Sequence, residues 1–224
     1  CVSEVTIRSD LRDLEAAGLL QRTHGGAQAS SFQTVLERQR NRRGAKQRIA
    51  AAAAALVRDG DAVMIEAGTT TALVAAALTG RHAITVVTNS MLVARELERR
   101  SGVRLFVTGG EYQAWAEAML GQNTTDVIAG IRADYCLMSA SGISDLQCFH
   151  PYEDCVQVKR AMMASSAESI LLLDHTKLNR RALHTFASMT DFDQVIVDAL
   201  TPSDLIADLR ERGVNVTQAG AVNE

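Results

Sequence analysis

Residues 61–73 read Asp-Ala-Val-Met-Ile-Glu-Ala-Gly-Thr-Thr-Thr-Ala-Leu, and this stretch predicts a strand that turns directly into a helix. Its first half is a short apolar run after Asp59-Gly60, which is typical of a buried strand. The chain then turns at Gly68, and the following apolar residues have helical spacing: Leu73, Val74, Ala77 and Leu78. The first N–H groups of a helix lack intrahelical partners, and the helix dipole favours an anion beside them. The turn therefore predicts a phosphate-binding site, although capping of the helix by Thr69 or Thr70 explains the pattern equally well.

Composition excludes several classes of protein. The chain has 224 residues, 47% of them hydrophobic, which can form a sizeable core in one large domain or two unequal ones. No apolar run reaches the roughly 18 residues of a transmembrane helix, and no signal peptide is visible. The four cysteines have no CxxC spacing, which indicates reduced thiols in a cytoplasmic protein and no metal site. Walker, GxGxxG and HExxH motifs are absent, so we expect no cofactor.

Positive charge is concentrated in the first part of the chain. Residues 1–48 carry nine Lys and Arg against five Asp and Glu, a net charge of +4. The remainder carries fourteen Lys and Arg against twenty-one Asp and Glu, a net charge of −7. A basic head before an acidic body favours nucleic acid as the partner of the head.

The basic head begins with a predicted helix. Ser3 is a suitable N-cap, the apolar residues Ile7, Leu11 and Leu14 share one face, and Gly18 ends the helix. The other face presents short polar groups and arginines that suit the major groove: Glu4, Thr6, Arg8, Ser9 and Arg12. Residues 19–27 then alternate like a strand and break at two glycines, as the wing of a winged helix does. A solvated amphipathic helix followed by a loop explains the same pattern.

The order of these features resembles the DeoR family of bacterial transcription regulators. Residues 2–20 match the recognition helix of the family's N-terminal helix-turn-helix, and His24-Gly25-Gly26-Ala27 matches its wing. The resemblance implies six DNA-binding residues: Ser3, Thr6, Arg8, Arg12, Arg22 and His24. Ser9 stands where the family usually has a second Arg, which weakens one possible DNA contact. Because the sequence starts at Cys1 without the first helices of the motif, we expect this chain by itself to bind DNA weakly.

The rest of the sequence predicts an α/β domain with a mainly parallel sheet. After a polar linker at residues 28–31, residues 32–44 are strongly basic, and we interpret them as a solvated connector rather than a contact to DNA phosphates. From residue 45 onward, predicted helices and strands alternate. Strands are predicted at residues 63–66, 84–88, 104–107, 135–139, 170–173 and 195–197. Helices are predicted at residues 45–57, 91–100, 126–131, 156–166 and 203–212.

The loops that follow the predicted strands are rich in small and hydroxyl-bearing residues. In a parallel sheet, ligands bind outside the carboxyl ends of the strands, where these loops enter helices. The loops are residues 66–71, 88–90, 108–111, 139–142 and 174–177. Each alone is explained as a cap or a turn, but five on one edge favour a pocket for a compact, hydroxyl-rich anion.

The same loops extend the DeoR resemblance over the chain, because they look like signature positions of the family's C-terminal sensor domain. That domain is similar in fold to ribose-5-phosphate isomerase and typically senses a phosphorylated sugar or related metabolite. By resemblance, Thr69–Thr71 and Asn89-Ser90 hold phosphate or hydroxyls, Gly109-Gly110 allow close backbone approach, and Lys159 or Lys177 balances charge. The full set of predicted ligand residues is Glu66, Gly68, Thr69, Thr70, Thr71, Thr88, Asn89, Ser90, Gly109, Gly110, Ser139, Ser141, Gly142, Lys159 and Lys177.

Three stretches depart from the family pattern. Glu66-Ala67 stands where Asp-Ser is common, and Gly142-Ile143-Ser144-Asp145 stands where many members continue Gly-Ile-Asp. Residues 148–154 are idiosyncratic, and we expect them to help define the metabolite. A sugar-phosphate isomerase or lyase is the alternative, since a base and a clamp could come from Asp145, His150, Glu153 and Lys159. The isomerase's acidic pair and Lys-Gly-Gly-Gly loop are missing, which favours a regulator.

The sequence thus predicts three segments with different roles. Residues 1–27 form a partial winged helix-turn-helix, residues 28–44 a linker, and residues 45–224 an effector-binding sensor domain. The predicted function is a DNA-binding regulator, by default a repressor of a carbohydrate-utilisation operon that a phosphorylated sugar relieves. Symmetric operators imply a homodimer or homotetramer. We expect no membrane partner.

Overall fold

The structure is a computed structural model that describes residues 3–16, 20–23, 26–29 and 35–220. The helices are α1 (Glu4–Ala16), α2 (Val35–Arg40), α3 (Arg43–Ala54), α4 (Thr69–Ala77), α5 (Met91–Leu97), α6 (Gln122–Ala129), α7 (Glu153–Ala164) and α8 (Ser203–Glu211). The strands are β1 (Leu20–Thr23), β2 (Gly26–Ala29), β3 (Ala62–Ile65), β4 (Ile84–Thr88), β5 (Val103–Val107), β6 (Glu111–Gln113), β7 (Ala118–Leu120), β8 (Ala133–Ser139), β9 (Gly142–Ser144), β10 (Gln147–His150), β11 (Ser166–Leu173), β12 (His184–Ser188), β13 (Gln194–Asp198) and β14 (Val216–Ala219).

A seven-stranded sheet organises the larger part of the described chain. Its strand order is β14-β13-β11-β8-β3-β4-β5, and every neighbouring pair is parallel. The chain runs outward from β3 through β4 to β5, then returns to β8 beside β3 and runs outward in the other direction. The strand order therefore reverses between β3 and β8, the point at which open α/β sheets bind ligands.

Both faces of the sheet are covered by helices, as the alternating pattern predicts. Met64 belongs to one hydrophobic core, whereas its neighbours Val63 and Ile65 belong to the other, because successive side chains of a strand point to opposite faces. Helices α3, α4 and α5 contribute to the core around Val63, and α6, α7 and α8 contribute to the core around Met64. The predicted α/β class with a parallel sheet is confirmed, and all six predicted sheet strands are present.

The sequence pattern missed the short strands outside and at the edge of this sheet. Strand β14 extends the sheet by one strand, β6 and β7 form a hairpin, and β9, β10 and β12 form a three-stranded antiparallel sheet. Most of these strands are only three to five residues long. Runs of that length carry too few alternations to be distinguished from loops.

The head consists of α1 and an antiparallel hairpin. Strands β1 and β2 pair with Thr23 opposite Gly26, in agreement with the predicted wing, and the hairpin includes Gln28 and Ala29 of the predicted linker. The predicted N-cap is confirmed, since Ser3 Oγ accepts a hydrogen bond from Thr6 N at 3.1 Å. Ile7, expected on the buried face of α1, is 48% exposed, whereas Leu11 on the same face is half-buried.

Candidate anion-binding site

A cavity of about 580 Å³ opens at the point where the strand order reverses. The turn after β3, the loop after β8 and the loop after β11 form its floor, and residues of α2 and α3 cover one side. Its position follows from the topology, because helices that leave neighbouring strands in opposite directions open a crevice between them.

The turn after β3 ends at the N-terminus of α4. Gly68 is the N-cap residue, and no side chain caps the helix. The alternative in which Thr69 or Thr70 serves only as a cap is therefore wrong for this structure. A Cβ atom on Gly68 would lie 2.8 Å from Ser139 Oγ and 2.9 Å from Thr71 Oγ1, so the close approach of β8 requires glycine here. Gly68, Thr69 and Thr70 line the cavity, where the first N–H groups of α4 favour an anion.

A buried ion pair supports the floor of the cavity. Lys159 Nζ lies 2.7 Å from Glu66 Oε1 and donates to the carbonyl of Ser139 at 2.8 Å, and the side chains are 1% and 4% exposed. The ammonium also lies 5.3 Å from the ring centroid of Phe186. Such a pair is satisfied only with both partners present, because either charge alone would be buried without compensation. Glu66 thus positions Lys159, which lines the cavity, while Glu66 itself borders a smaller adjacent cavity.

The residues that line the main cavity carry far more positive than negative charge. The cations are Arg38, Arg42, Lys46, Lys159, Lys177, Arg180 and Arg181, and Asp174 is the only carboxylate among the described lining residues. Burial lowers the pKa of Lys46 to about 8, with the Asp174 carboxylate acting against the shift. Burial also lowers the pKa of Lys177. Desolvated cations around a cavity favour an anionic ligand, which restores the stabilisation that water would give them.

One wall of the cavity comes from the idiosyncratic stretch at residues 148–154. His150, Pro151 and Tyr152 line the cavity together with Trp115, whose ring lies 4.2 Å from that of Tyr152, centroid to centroid. Burial, with a smaller contribution from the Lys159 charge, lowers the pKa of His150 to about 3, so this imidazole is neutral near pH 7. His150 Nδ1 lies 3.3 Å from both the amide nitrogen and the carbonyl oxygen of Tyr152. A neutral imidazole beside aromatic rings suits hydroxyl and C–H groups of a sugar-like molecule.

The structure brings seven of the predicted ligand residues together on the cavity wall. These are Gly68, Thr69, Thr70, Ser139, Ser141, Lys159 and Lys177. The other eight, namely Glu66, Thr71, Thr88, Asn89, Ser90, Gly109, Gly110 and Gly142, do not line the main cavity.

Several of these eight make hydrogen bonds that hold the loops in place. Thr71 Oγ1 donates to Gly68 O at 2.9 Å, and Thr88 Oγ1 donates to Ile65 O at 2.6 Å. Asn89 Oδ1 accepts from Ala67 N at 3.0 Å, and Ser90 Oγ caps α5 by accepting from Val93 N at 3.3 Å. These contacts join β4 to the turn after β3.

The remaining glycines allow close packing within the protein and do not line the cavity. Gly109 O accepts from Thr124 Oγ1 at 2.8 Å, and a Cβ atom on Gly110 would lie 2.0 Å from the same hydroxyl. A Cβ atom on Gly142 would lie 2.5 Å from the carbonyl oxygen of Arg180. The predicted close backbone approach at Gly109-Gly110 is therefore made to α6 of the protein itself.

Sequence reasoning missed four lining residues: Arg38, Asn41 and Arg42 of the connector, and Lys46 just beyond it. The interpretation of the connector as solvated is wrong for Arg38, whose Nε is buried and whose side chain lines the cavity. Lys46 is buried and donates to Thr69 Oγ1 at 3.1 Å. Arg42 has a left-handed backbone with φ of 54°, and its Nη1 donates to His175 Nε2 at 3.0 Å. The available signal was the density of arginines, which does not distinguish a solvated surface from a binding surface.

The predicted DNA-binding residues lie in the head. Ser3 caps α1, and Thr6 and Arg8 are exposed on it. Arg12 lies in α1 and Arg22 in β1, whereas His24 lies outside the described residues. Whether these six residues contact DNA stays a prediction.

Of the four residues that could serve an isomerase, His150 and Lys159 line the cavity, whereas Asp145 and Glu153 do not. Asp145 is 79% exposed and pairs with Arg212 at 2.9 Å, outside the cavity lining. Lys159 is held by Glu66, and His150 is neutral. In the described ranges, no cluster of three or more His, Cys, Asp and Glu could hold a metal ion. No helix among the described residues is long and apolar enough to cross a membrane.

The fold and the cavity define a class of protein in which an α/β ligand-binding domain follows a helix and wing of the DNA-binding type. The DeoR C terminal sensor domain matches residues 41–199, and the DeoR-like helix-turn-helix domain matches residues 1–33. The chain belongs to the DeoR family of DNA-binding transcriptional regulators, and the enzyme alternative is not favoured.

Curated relatives extend over most of the chain. The glycerol-3-phosphate regulon repressor of Escherichia coli (strain K12) is 33% identical over 96% of this chain and 87% of its own. The HTH-type transcriptional repressor CsqR of the same organism is 30% identical over 96% and 84%. The lactose phosphotransferase system repressor of Staphylococcus aureus (strain N315) is 28% identical over 88% and 81%.

Solved structures resemble the fold at low sequence identity. Chaetomium thermophilum eIF2B delta covers 70% of this chain and 56% of its own, with a TM-score of 0.51 and 14% identity. Ribose 5-phosphate isomerase A of Methanocaldococcus jannaschii covers 61% and 54%, with a TM-score of 0.43 and 17% identity.

Proposed function

We propose that residues 45–224 bind a phosphorylated sugar or polyol in the cavity and that this ligand is the effector of a repressor. The observation that carries the proposal is the juxtaposition of the α4 N-terminus with a cavity wall rich in cations, among them the buried Lys46 and Lys159. A helix N-terminus supplies N–H donors to a phosphate, and Lys and Arg neutralise its charge. The neutral His150 and the rings of Trp115 and Tyr152 suit the remainder of such a ligand.

The ligand class also agrees with what the relatives are named for. One relative is a repressor of a glycerol-3-phosphate regulon, and another is a repressor of a lactose phosphotransferase system. Both names concern the use of carbohydrates or their phosphorylated derivatives. We infer a repressor of a carbohydrate-utilisation operon as the biological role, with release from DNA when the effector binds.

In the intact regulator, we infer that paired heads bind a symmetric operator. Thr6 and Arg8 lie on the exposed side of α1, where they can reach base edges, and Ser3 lies at the start of that helix. We assign contacts with the DNA phosphates to Arg12, Arg22 and His24. Two heads require at least a dimer, so a homodimer or homotetramer joined through the sensor domains is part of the proposal. The effector would bind one arrangement of those domains more tightly than another, and this difference in affinity would shift the population between them.

A thermal-shift screen tests the ligand class directly. The panel contains sugar phosphates, sn-glycerol 3-phosphate, inositol phosphates and sugar acids, each beside its unphosphorylated partner. A ligand at 100 times its dissociation constant stabilises the folded state by about 2.7 kcal/mol, which is a clear shift in Tm. We expect a shift with one phosphorylated compound and none with its unphosphorylated partner. Equal shifts for both partners, or no shift with any compound, would contradict the phosphate-binding assignment.

A further inference from the structure

Helix α2 of the connector buries little apolar surface, with Val35 half-buried beside the smaller cavity. Helix α2 has six residues, of which none is buried, and Leu36 is 58% exposed. A helix this short is marginal by itself, and apolar packing adds little to its position. Local stability is low where few apolar contacts are buried, so the polar contacts of α2 decide where it lies.

One ammonium group joins α2 to the turn after β3. Lys46 Nζ, on α3, donates to the carbonyl oxygen of Arg38 at 2.5 Å and to Thr69 Oγ1 at 3.1 Å. Thr69 is the first residue of α4 and lines the cavity. The three segments α2, α3 and α4 thus meet at a single charge, directly beside the predicted position of the anion.

Arg38 brings an unsatisfied donor to the same place. Among the described residues, two buried side-chain nitrogens have no hydrogen-bond partner, and Nε of Arg38 is one of them. The side chain lines the main cavity and also the smaller one beside Glu66. An arginine with an unpaired buried N–H can gain a charge-assisted hydrogen bond from an anion, and its planar fork matches phosphate geometry.

The corner between α2 and α3 is fixed independently of the cavity anion. Arg42 Nη1 donates to His175 Nε2 at 3.0 Å, so the imidazole accepts there and its Nδ1–H faces Asp198 Oδ2 at 2.7 Å. Asp198 lies at the carboxyl end of β13 and is fully buried. This chain of bonds holds the start of α3 to the sheet, so α2 can change position only about that corner.

We propose that Arg38 and Lys46 bind the anionic group of the effector directly, and that the position of α2 therefore depends on whether the cavity is occupied. The inference rests on the proposed function and deepens it by naming the residues that couple ligand to head. Since α2 is the first described element after the head in sequence, ordering it gives the effector a route to the DNA-binding segment. The energetic coupling equals the ligand's preference for the bound position of α2.

Hydrogen exchange of the full chain tests this coupling. Inorganic phosphate is the probe, compared with chloride at equal ionic strength, and exchange is followed by mass spectrometry in residues 35–46 and 66–75. We expect phosphate to slow exchange in both segments of the unaltered chain. In Arg38→Gln we expect phosphate affinity to fall about tenfold. At saturating phosphate, residues 66–75 of this variant stay protected while residues 35–46 do not.

Arg40→Gln is the matched control, because Arg40 lies on the same helix, is exposed and does not line the cavity. This control removes the same charge and should behave like the unaltered chain. Arg38→Lys keeps the charge without the planar fork, so it should retain less than half of the phosphate-dependent protection of residues 35–46. This variant also tests the role of Arg38 if Arg38→Gln does not fold.

Three results would overturn the coupling. Phosphate protection of residues 66–75 without protection of residues 35–46 in the unaltered chain would reject it and leave the proposed function standing. Equal loss of protection in Arg38→Gln and Arg40→Gln would show that total charge, not Arg38, is responsible. Protection of neither segment would reject the anion site and the coupling together.

Discussion

The turn after β3 and the connector helices contribute to one cavity, but they do so in opposite ways. Glu66, Gly68 and Thr71 are locked by an ion pair, a tight backbone approach and a back-bonded hydroxyl. Arg38 instead lies on the short helix α2, which has no buried residue, and carries an unsatisfied donor, while Lys46 of α3 bonds to its carbonyl. The difference teaches that one cavity wall is fixed by buried contacts and the other is not; under the proposed function, the fixed turn positions the anion and α2 responds to its binding.

The largest expected effect is on stability and belongs to the turn. Glu66→Ala leaves Lys159 as a buried charge without its partner, and loss of one member of a buried pair typically costs about 3–5 kcal/mol. Urea denaturation measures the change in the free energy of unfolding. Asp145→Ala removes the exposed pair with Arg212 and should cost less than about 1 kcal/mol. Similar losses in both variants would refute the assignment of Glu66 as the support of Lys159.

The next effect is on binding. Thr70→Asp places a negative charge beside the N-terminus of α4, so we expect at least about a 100-fold loss of affinity for the effector, or 2.7 kcal/mol. Folding should be largely unchanged, because an acidic residue in the first turn of a helix interacts favourably with the dipole. Titration calorimetry and thermal unfolding separate the two quantities.

Gln122→Asp is the control for this change, since it adds the same charge to the first turn of α6, which does not line the cavity. It should leave affinity within about twofold, an allowance for long-range charge effects. A Thr70→Asp variant that still responds normally to the effector would remove the anion-site argument.

A smaller effect is expected from Gly68→Ala. The added Cβ would lie within 3 Å of Ser139 Oγ and Thr71 Oγ1, and overpacking of this kind costs about 1–3 kcal/mol. Gly130→Ala, whose nearest contact is 3.6 Å, should change stability by about 0.5 kcal/mol or less. Thermal or urea unfolding of both variants checks the difference. If the two glycines tolerate alanine equally, the turn is less tightly packed than the structure indicates.

The smallest effect is a pH dependence of effector affinity that arises from Lys46 of α3. The pKa of Lys46 in the free protein is about 8, lowered mainly by burial, and an anion binds best to the protonated ammonium. Effector affinity should therefore be flat near pH 7 and fall as pH rises through 8, by up to about tenfold per unit. The stability of the ligand-free protein changes in the opposite direction: between pH 8 and 10.5 the unfolded chain holds the proton that the folded chain has lost, so stability rises with pH.

Affinity measured by calorimetry from pH 7 to 9 checks this prediction. Lys46→Met should bind more weakly at pH 7 and show a shallower decline, with the remaining slope due to Lys177, whose pKa is also lowered. An equal slope in the variant and the unaltered chain would show that Lys46 does not contact the anion.

Much of the fold was predictable because its signals are local. Apolar runs such as residues 63–65 and 170–173 predicted the strands, and Gly68-Thr69-Thr70 predicted the strand-to-helix turn. The short strands β6, β9 and β12 escaped prediction because three to five residues carry little periodicity. The structure places the predicted residues Thr69 and Thr70 on the cavity wall at the turn after β3, and Lys159 on it from α7; that they bind a ligand stays a prediction.

The sequence by itself determined the α/β class, the parallel sheet and the turn at which an anion is expected, because hydrophobic period and turn chemistry are properties of neighbouring residues. Only the tertiary structure decided which of the predicted loops reach the cavity. It placed Ser139 and Lys177 on the wall but turned Asn89 and Gly109 toward supporting hydrogen bonds. It alone placed Arg38 and Lys46 on the cavity wall, with Lys46 bonded to Thr69, because burial of a charge depends on partners that lie far away along the chain.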